Sequence, residues 1–232
     1  MPFPLVLSAP FVVPLVLATV TGVAVHAHNK APAGPPPVIR ELPQTGLTTI
    51  TIRPQYRTHD KVLNVYSRSG AKLYKLVQHS AEPATYSILE YSSGGSIGTV
   101  HIGGTKSEIL FRYGENGGHT VVRHVVEGAD SYRVFILPGG EVMQWTGKER
   151  YLERVLCETG PDGERVEIRE RVAVAKRVGS RIWELKYDSA RVSGEVVIAS
   201  AVVSVLDQWS TVWGVGGVFF NKKNKAAVRF AS

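Results

Sequence analysis

The sequence predicts a mainly β protein, built as a closed antiparallel barrel around a buried hydrophobic helix near the C-terminus. Three observations carry this. Many short segments alternate apolar and polar residues between turn signals. One late apolar run is too long for a usual strand. That run is apolar on every side of its helical projection, so something must surround it.

The run extends from Ser193 to Trp209, with eleven uncharged positions from Val196 to Leu206. Six β-branched residues favour a strand locally, but length argues for a helix, and acidic Glu195 suits a positive helix N-terminus. The helix is therefore expected near residues 195–209. About fifteen helical residues extend about 22 Å, the height of six or seven strand residues at about 3.3 Å each. A plug of that size fits inside a barrel.

At the other end, residues 2–25 carry no charged side chain and are rich in Leu, Val, Ala and Phe. Such a length can span a bilayer, although Pro4, Pro10 and Pro14 interrupt it and no Lys or Arg precedes it. Residues 1–25 are read first as a membrane anchor or interfacial segment. A cleaved secretory signal and an apolar arm folded on the domain stay open as alternatives. As an anchor, with Lys30, Arg40, Arg53 and Arg57 following it, the segment would leave the domain on the cytoplasmic side. A cytoplasmic, membrane-anchored protein is thus expected ahead of a secreted one.

Residues 26–46 form a linker. Pro32, Pro35, Pro36, Pro37 and Pro43 exclude a helix or a central strand there and leave a stiff, extended chain. Its Leu42-Pro43-Gln44-Thr45-Gly46 spells the motif cleaved by sortases, but far from the C-terminal context a sorting signal needs, so the match is read as chance.

The barrel is expected over residues 47–220. Thirteen candidate strands lie between Thr49 and Tyr187, among them Thr49–Arg53, Val62–Tyr66, Thr120–Val126, Arg165–Arg169, Val172–Val178 and Arg181–Tyr187. Ser69-Gly70, Pro138-Gly139-Gly140 and Pro161-Asp162-Gly163 separate them with residues suited to tight turns, so most neighbours are hairpins. Strands with one dry face must pair as a sandwich or close as a barrel, and the all-apolar helix favours the barrel.

The order and spacing resemble the tubby C-terminal-like superfamily, especially the fungal and plant LURP-one-related proteins, whose relatives include phospholipid scramblases. The resemblance covers roughly residues 47–212. It rests on Ile52–Lys75 as an opening hairpin, Trp145–Glu158 as middle strands, and Trp183–Trp209 as a last strand feeding the central helix. It implies about twelve antiparallel strands around a C-terminal helix. The apolar N-terminus and the hydrophobic stretch Ser210–Phe220 depart from the family pattern.

Composition permits binding to anions. Lys and Arg outnumber Asp and Glu by 27 to 20 in 232 residues, a net charge of +7. Arg171, Lys176, Arg177 and Arg181 cluster over the last hairpin, and Lys222, Lys223, Lys225 and Arg229 fill the basic tail, residues 221–232. These eight are the candidate lipid or anion-binding residues. A merely solvated basic surface is the plain alternative. The resemblance implies anionic headgroup or phosphoinositide binding in kind, not residue by residue. Few aromatics interleave with the basics, so nucleic acid ranks lower.

Catalytic signatures are weak. Gly94-Gly95-Ser96-Ile97-Gly98 matches the nucleophile-elbow spacing, yet a strand follows it where the elbow needs a helix. His101, His119 and His124 are read as strand histidines, and the lone Cys157 as a core residue. No metal-ligand spacing, P-loop or dinucleotide fingerprint occurs. The expectation is a non-enzymatic, monomeric barrel with no cofactor or metal that associates with anionic membrane lipid. A soluble structural or protein-interaction domain is the alternative, and a Ser96 hydrolase a distant third.

Overall fold

The computed structural model describes residues 36–55, 62–81, 84–103, 106–112, 117–127, 130–160, 162–179 and 182–204. Its strands are β1 Val38–Arg40, β2 Thr48–Pro54, β3 Val62–Ser67, β4 Lys72–Ala81, β5 Ala84–Glu90, β6 Ser96–Ile102 and β7 Lys106–Phe111. They continue as β8 Gly118–Glu127, β9 Asp130–Ile136, β10 Val142–Thr146, β11 Tyr151–Thr159, β12 Arg165–Gly179 and β13 Ile182–Tyr187. One helix follows, α1 Gly194–Ser204.

From β2 to β13 each strand pairs antiparallel with the next, and β13 returns to β2 with Trp183 opposite Ile52 and Tyr187 opposite Thr48. Twelve strands, β2 to β13, therefore form a closed antiparallel barrel. Turn chemistry sets the hairpins. Between β9 and β10, Gly140 takes a φ of 89°, a conformation that glycine adopts without steric cost.

Alternation decides which side chains enter. Ile50 and Ile52 of β2, Tyr86 and Ile88 of β5, Met143 and Trp145 of β10, and Trp183 and Leu185 of β13 are all almost fully buried in one core. Helix α1 shares that core, with every residue from Val196 to Ser204 buried. Burial on all sides is the environment its all-round apolarity requires. Ser193 caps the helix by accepting from the Val196 N–H at 3.4 Å, and Glu195 lies in the first turn. At Gly194 a Cβ would fall 2.6 Å from the Tyr187 hydroxyl, so the helix start is pressed against the end of β13.

Two expectations need correction, and the linker adds one short strand. Arg165–Arg169 and Val172–Val178 are one strand of 15 residues, continuous through Arg171 and the ion-paired Glu170. Its carboxylate accepts from Arg154 Nε and Arg191 Nη1, both at 2.9 Å. The linker contributes β1, which pairs parallel with β12, Val38 opposite Ile168. Cys157 is exposed rather than core, lying on the outward side of β11. Residues 205–209 of the expected helix lie outside the described residues, as do the whole of 1–25 and the basic tail.

Candidate functional site

Three of the eight candidate cations lie among the described residues. Arg171, Lys176 and Arg177 share β12, whereas Arg181, Lys222, Lys223, Lys225 and Arg229 lie outside the described residues. Arg171 projects outward near the middle of the strand and meets carboxylates. Its Nη1 is 2.8 Å from Glu41, its Nη2 2.8 Å from Glu149, and its Nε 3.6 Å from Glu153. The guanidinium also lies 4.0 Å over the Tyr151 ring. Burial lowers its proton affinity, but the Glu41 bond and the fields of Glu41, Glu149 and Glu153 outweigh that and raise its pKa. As an open anion site Arg171 is a poor candidate, since three acids surround it.

Beside it, a cleft of about 240 Å³ is lined by Ile39, Tyr132, Lys148, Glu149, Arg169 and Arg171, among others. Its cations are largely matched. Lys148 reaches Asp130 at 2.7 Å, and Arg169 reaches Glu167 at 2.6 Å while lying over the Tyr132 ring. Sequence proximity could not reveal this balance, because Glu41 lies 130 positions from Arg171.

The far end of β12 differs. Lys176, Arg177 and Val178 are all exposed, and the pairing with β13 shifts between Arg177 and Gly179. That bulge leaves Val178 without a cross-strand partner and half exposed, at 50%. Arg177 Nε donates to the Gly179 carbonyl at 3.1 Å, which holds the bulge in shape. Opposite Lys176, Glu184 is engaged by Lys186 at 3.5 Å. The result is an exposed apolar side chain at a strand end, preceded by two exposed cations, Lys176 opposite Glu184 and Arg177 opposite Trp183.

Ser96 opens strand β6, and its hydroxyl donates to the Gly98 carbonyl of the same strand at 3.4 Å. The histidines have other partners. His101 Nδ1 lies 3.0 Å from Thr85 Oγ1 and His119 Nε2 lies 3.4 Å from Glu108, while partial burial and then the charge of Arg133 lower the His124 pKa. A nucleophile elbow is therefore not formed around Ser96. Among the described residues no group of three or more His, Cys, Asp or Glu side chains is placed to hold a metal, and no helix is long and apolar enough to cross a membrane.

The fold and surface define a class: a closed twelve-stranded antiparallel barrel threaded by a C-terminal helix, with a bulged cationic strand end. Comparison with family models, curated proteins and solved structures finds no match to this chain. The architecture is the one implied by the resemblance to the tubby-like superfamily, and membership of that family gains no support from the comparisons.

Proposed function

We propose that this protein is a non-enzymatic, tubby-like barrel that associates with an anionic phospholipid surface. The observation that carries the reading is the β12 bulge, which presents exposed Val178 between Lys176 and Arg177 on one side and Gly179 on the other. Cations attract anionic headgroups at about 1 kcal/mol each near a surface, and an adjacent apolar side chain gains by entering the interface. Arg181 lies three positions further along the sequence, and it, the apolar 1–25 segment and the four tail cations would add to the attachment.

The test is co-sedimentation with phosphatidylserine or phosphoinositide vesicles at low salt, using the chain without residues 1–25, since the barrel itself begins at Thr48. Lys176→Glu with Arg177→Glu is expected to weaken binding about tenfold, and Val178→Asp to weaken it measurably. If the truncated chain ignores anionic vesicles, the reading fails. A soluble protein-interaction domain then stands first, the reading that the charge-balanced cleft beside Arg171 favours. Labelling of Ser96 by a fluorophosphonate probe would overturn the non-enzymatic part.

A further inference from the structure

Strand β12 outruns its neighbour. β13 covers its edge only from Ala173 to Gly179, and Asp188 makes one more bond to the Val172 carbonyl before the chain turns away. The same edge from Arg165 onward would be bare but for β1, which covers Ile168 to Glu170. A bare strand edge is a template for another strand.

β1 is unlike the twelve strands of the wall. It is parallel to its partner, three residues long and exposed at each residue. Pro37, just before it, has no N–H to give a ladder. Two ion pairs fasten its end: Arg40 to Glu158 at 3.0 Å, and Glu41 to Arg171 at 2.8 Å. Both partners of the first are about half exposed. Val38 and Ile39 remain 49% and 39% exposed, so little apolar burial secures the strand. The barrel closes through β13 and β2 whether or not β1 is docked.

We propose that β1 exchanges between two copies of this chain, Val38–Glu41 of each lying on the β12 edge of the other. The occupant follows from complementarity. In the exchanged pair the Val38 to Ile168 register, the Arg40 to Glu158 pair and the Glu41 to Arg171 pair are all remade, so the two forms differ only in the connection to β2 and in concentration. That connection, Leu42 to Leu47, contains Pro43 and ends beside Gly46, whose φ of 77° marks a sharp turn that can reopen. Six residues span about 20 Å at most. The two β11–β12 hairpins must therefore lie side by side in the dimer.

Charge reversal tests this in the full chain. Arg40→Glu places two acids together at this contact, and Glu158→Arg places two bases together, whether β1 docks on its own chain or on an identical one. Mixing the two variants restores opposite charges at both contacts, but only across chains. Tagged Arg40→Glu chain is expected to retain untagged Glu158→Arg chain about tenfold better than it retains untagged Arg40→Glu chain, two exposed pairs each contributing a few-fold. Carrying both reversals in one chain should return self-association to the wild-type level. Adding Ile39→Pro to both mixed chains should abolish the gain. Equal retention of the two untagged chains would overturn the proposal, as would a gain that survives Ile39→Pro.

Discussion

Trp145 of β10 and Ser200 of α1 are joined by a buried hydrogen bond, the indole N–H donating to the serine hydroxyl at 3.0 Å. The same hydroxyl donates to the Val196 carbonyl at 2.6 Å, one turn back in the helix. Ser200 thus accepts from the wall and donates within the plug, and the bond fixes both the depth and the rotation of the helix. Ser200→Ala is expected to destabilise the fold by about 1–3 kcal/mol, because it strips a buried donor of this acceptor. In a double-mutant cycle, Trp145→Phe should cost less in the Ser200→Ala background than alone, read from chemical denaturation curves.

The helix core tolerates no charge. Val202 is fully buried, and its burial together with that of its helical neighbours contributes about 1.5–3 kcal/mol per large apolar side chain. Val202→Asp should abolish soluble, cooperatively folding protein. Lys186→Asp, at a half-exposed position paired with Glu184, should shift stability by no more than about 0.5 kcal/mol. A Val202→Asp protein with a wild-type Tm would place this segment outside the core.

Glu170 joins β12 to the segment that feeds the helix. Its carboxylate accepts from Arg154 and Arg191, and Arg191 also pairs with Asp188 at 3.1 Å. Glu170→Ala leaves two arginines facing each other without their shared acid. A loss of about 3 kcal/mol is expected, at the low end for a buried pair because both arginines keep some solvent contact. Equilibrium unfolding of Glu170→Ala beside Glu141→Ala, which touches only the exposed side of Arg154, separates the clamp from general surface charge.

His124 gives a pH signature. Its pKa lies below the usual 6.5 because of partial burial and then the positive charge of Arg133. Above 6.5 the group is neutral folded or unfolded and contributes no pH dependence. As pH falls below 6.5 the unfolded chain takes up the proton first, so stability is lost until the folded pKa is passed. His124→Asn should therefore lose less stability than the wild type between pH 7 and pH 5. Parallel losses in the two proteins would show that another group sets the acid limb.

For the apolar segment and the basic residues, salt is the discriminating variable. Hydrophobic transfer of residues 1–25 is not weakened by salt, whereas attraction by Lys222, Lys223, Lys225 and Arg229 is screened within a Debye length. Full-length chain should stay on anionic vesicles at about 0.5 M salt, and chain lacking residues 1–25 should release. Replacing the four tail cations with Gln should weaken the truncated chain about tenfold.

Much of the fold was legible in the sequence because the information is local. Alternation such as that of Trp183, Leu185 and Tyr187 against Ile182, Glu184 and Lys186 states which face is dry, and an apolar run without a stripe states that it is enclosed. What escaped depends on distant partners. The pairing of Glu170 with Arg191 joins positions 21 apart, and Val38–Arg40 has no strand signature of its own, being a strand only against Ile168 to Glu170. The site was less legible for the same reason. Arg171 and Lys176 look alike as basic residues on one strand, but Glu41, Glu149 and Glu153 converge on the first, while the neighbour opposite the second is taken by Lys186. The bulge that lifts Val178 was signalled only by Gly179, since register shifts arise from pairing and not from composition.

Closure through β2 and β13 also dictates an order in time. Thr48 meets Tyr187, the last residue of the last strand, and the plug follows later still. During synthesis β2 has only β3 beside it until nearly the whole barrel has left the ribosome, and the inward faces of the wall stay wet until α1 arrives. Such long-range closure makes for slow folding and a long exposure of apolar strand edges. A chain stopped before Gly194 would have its wall but nothing to wrap it around, so premature termination should leave an aggregating fragment rather than a smaller working domain.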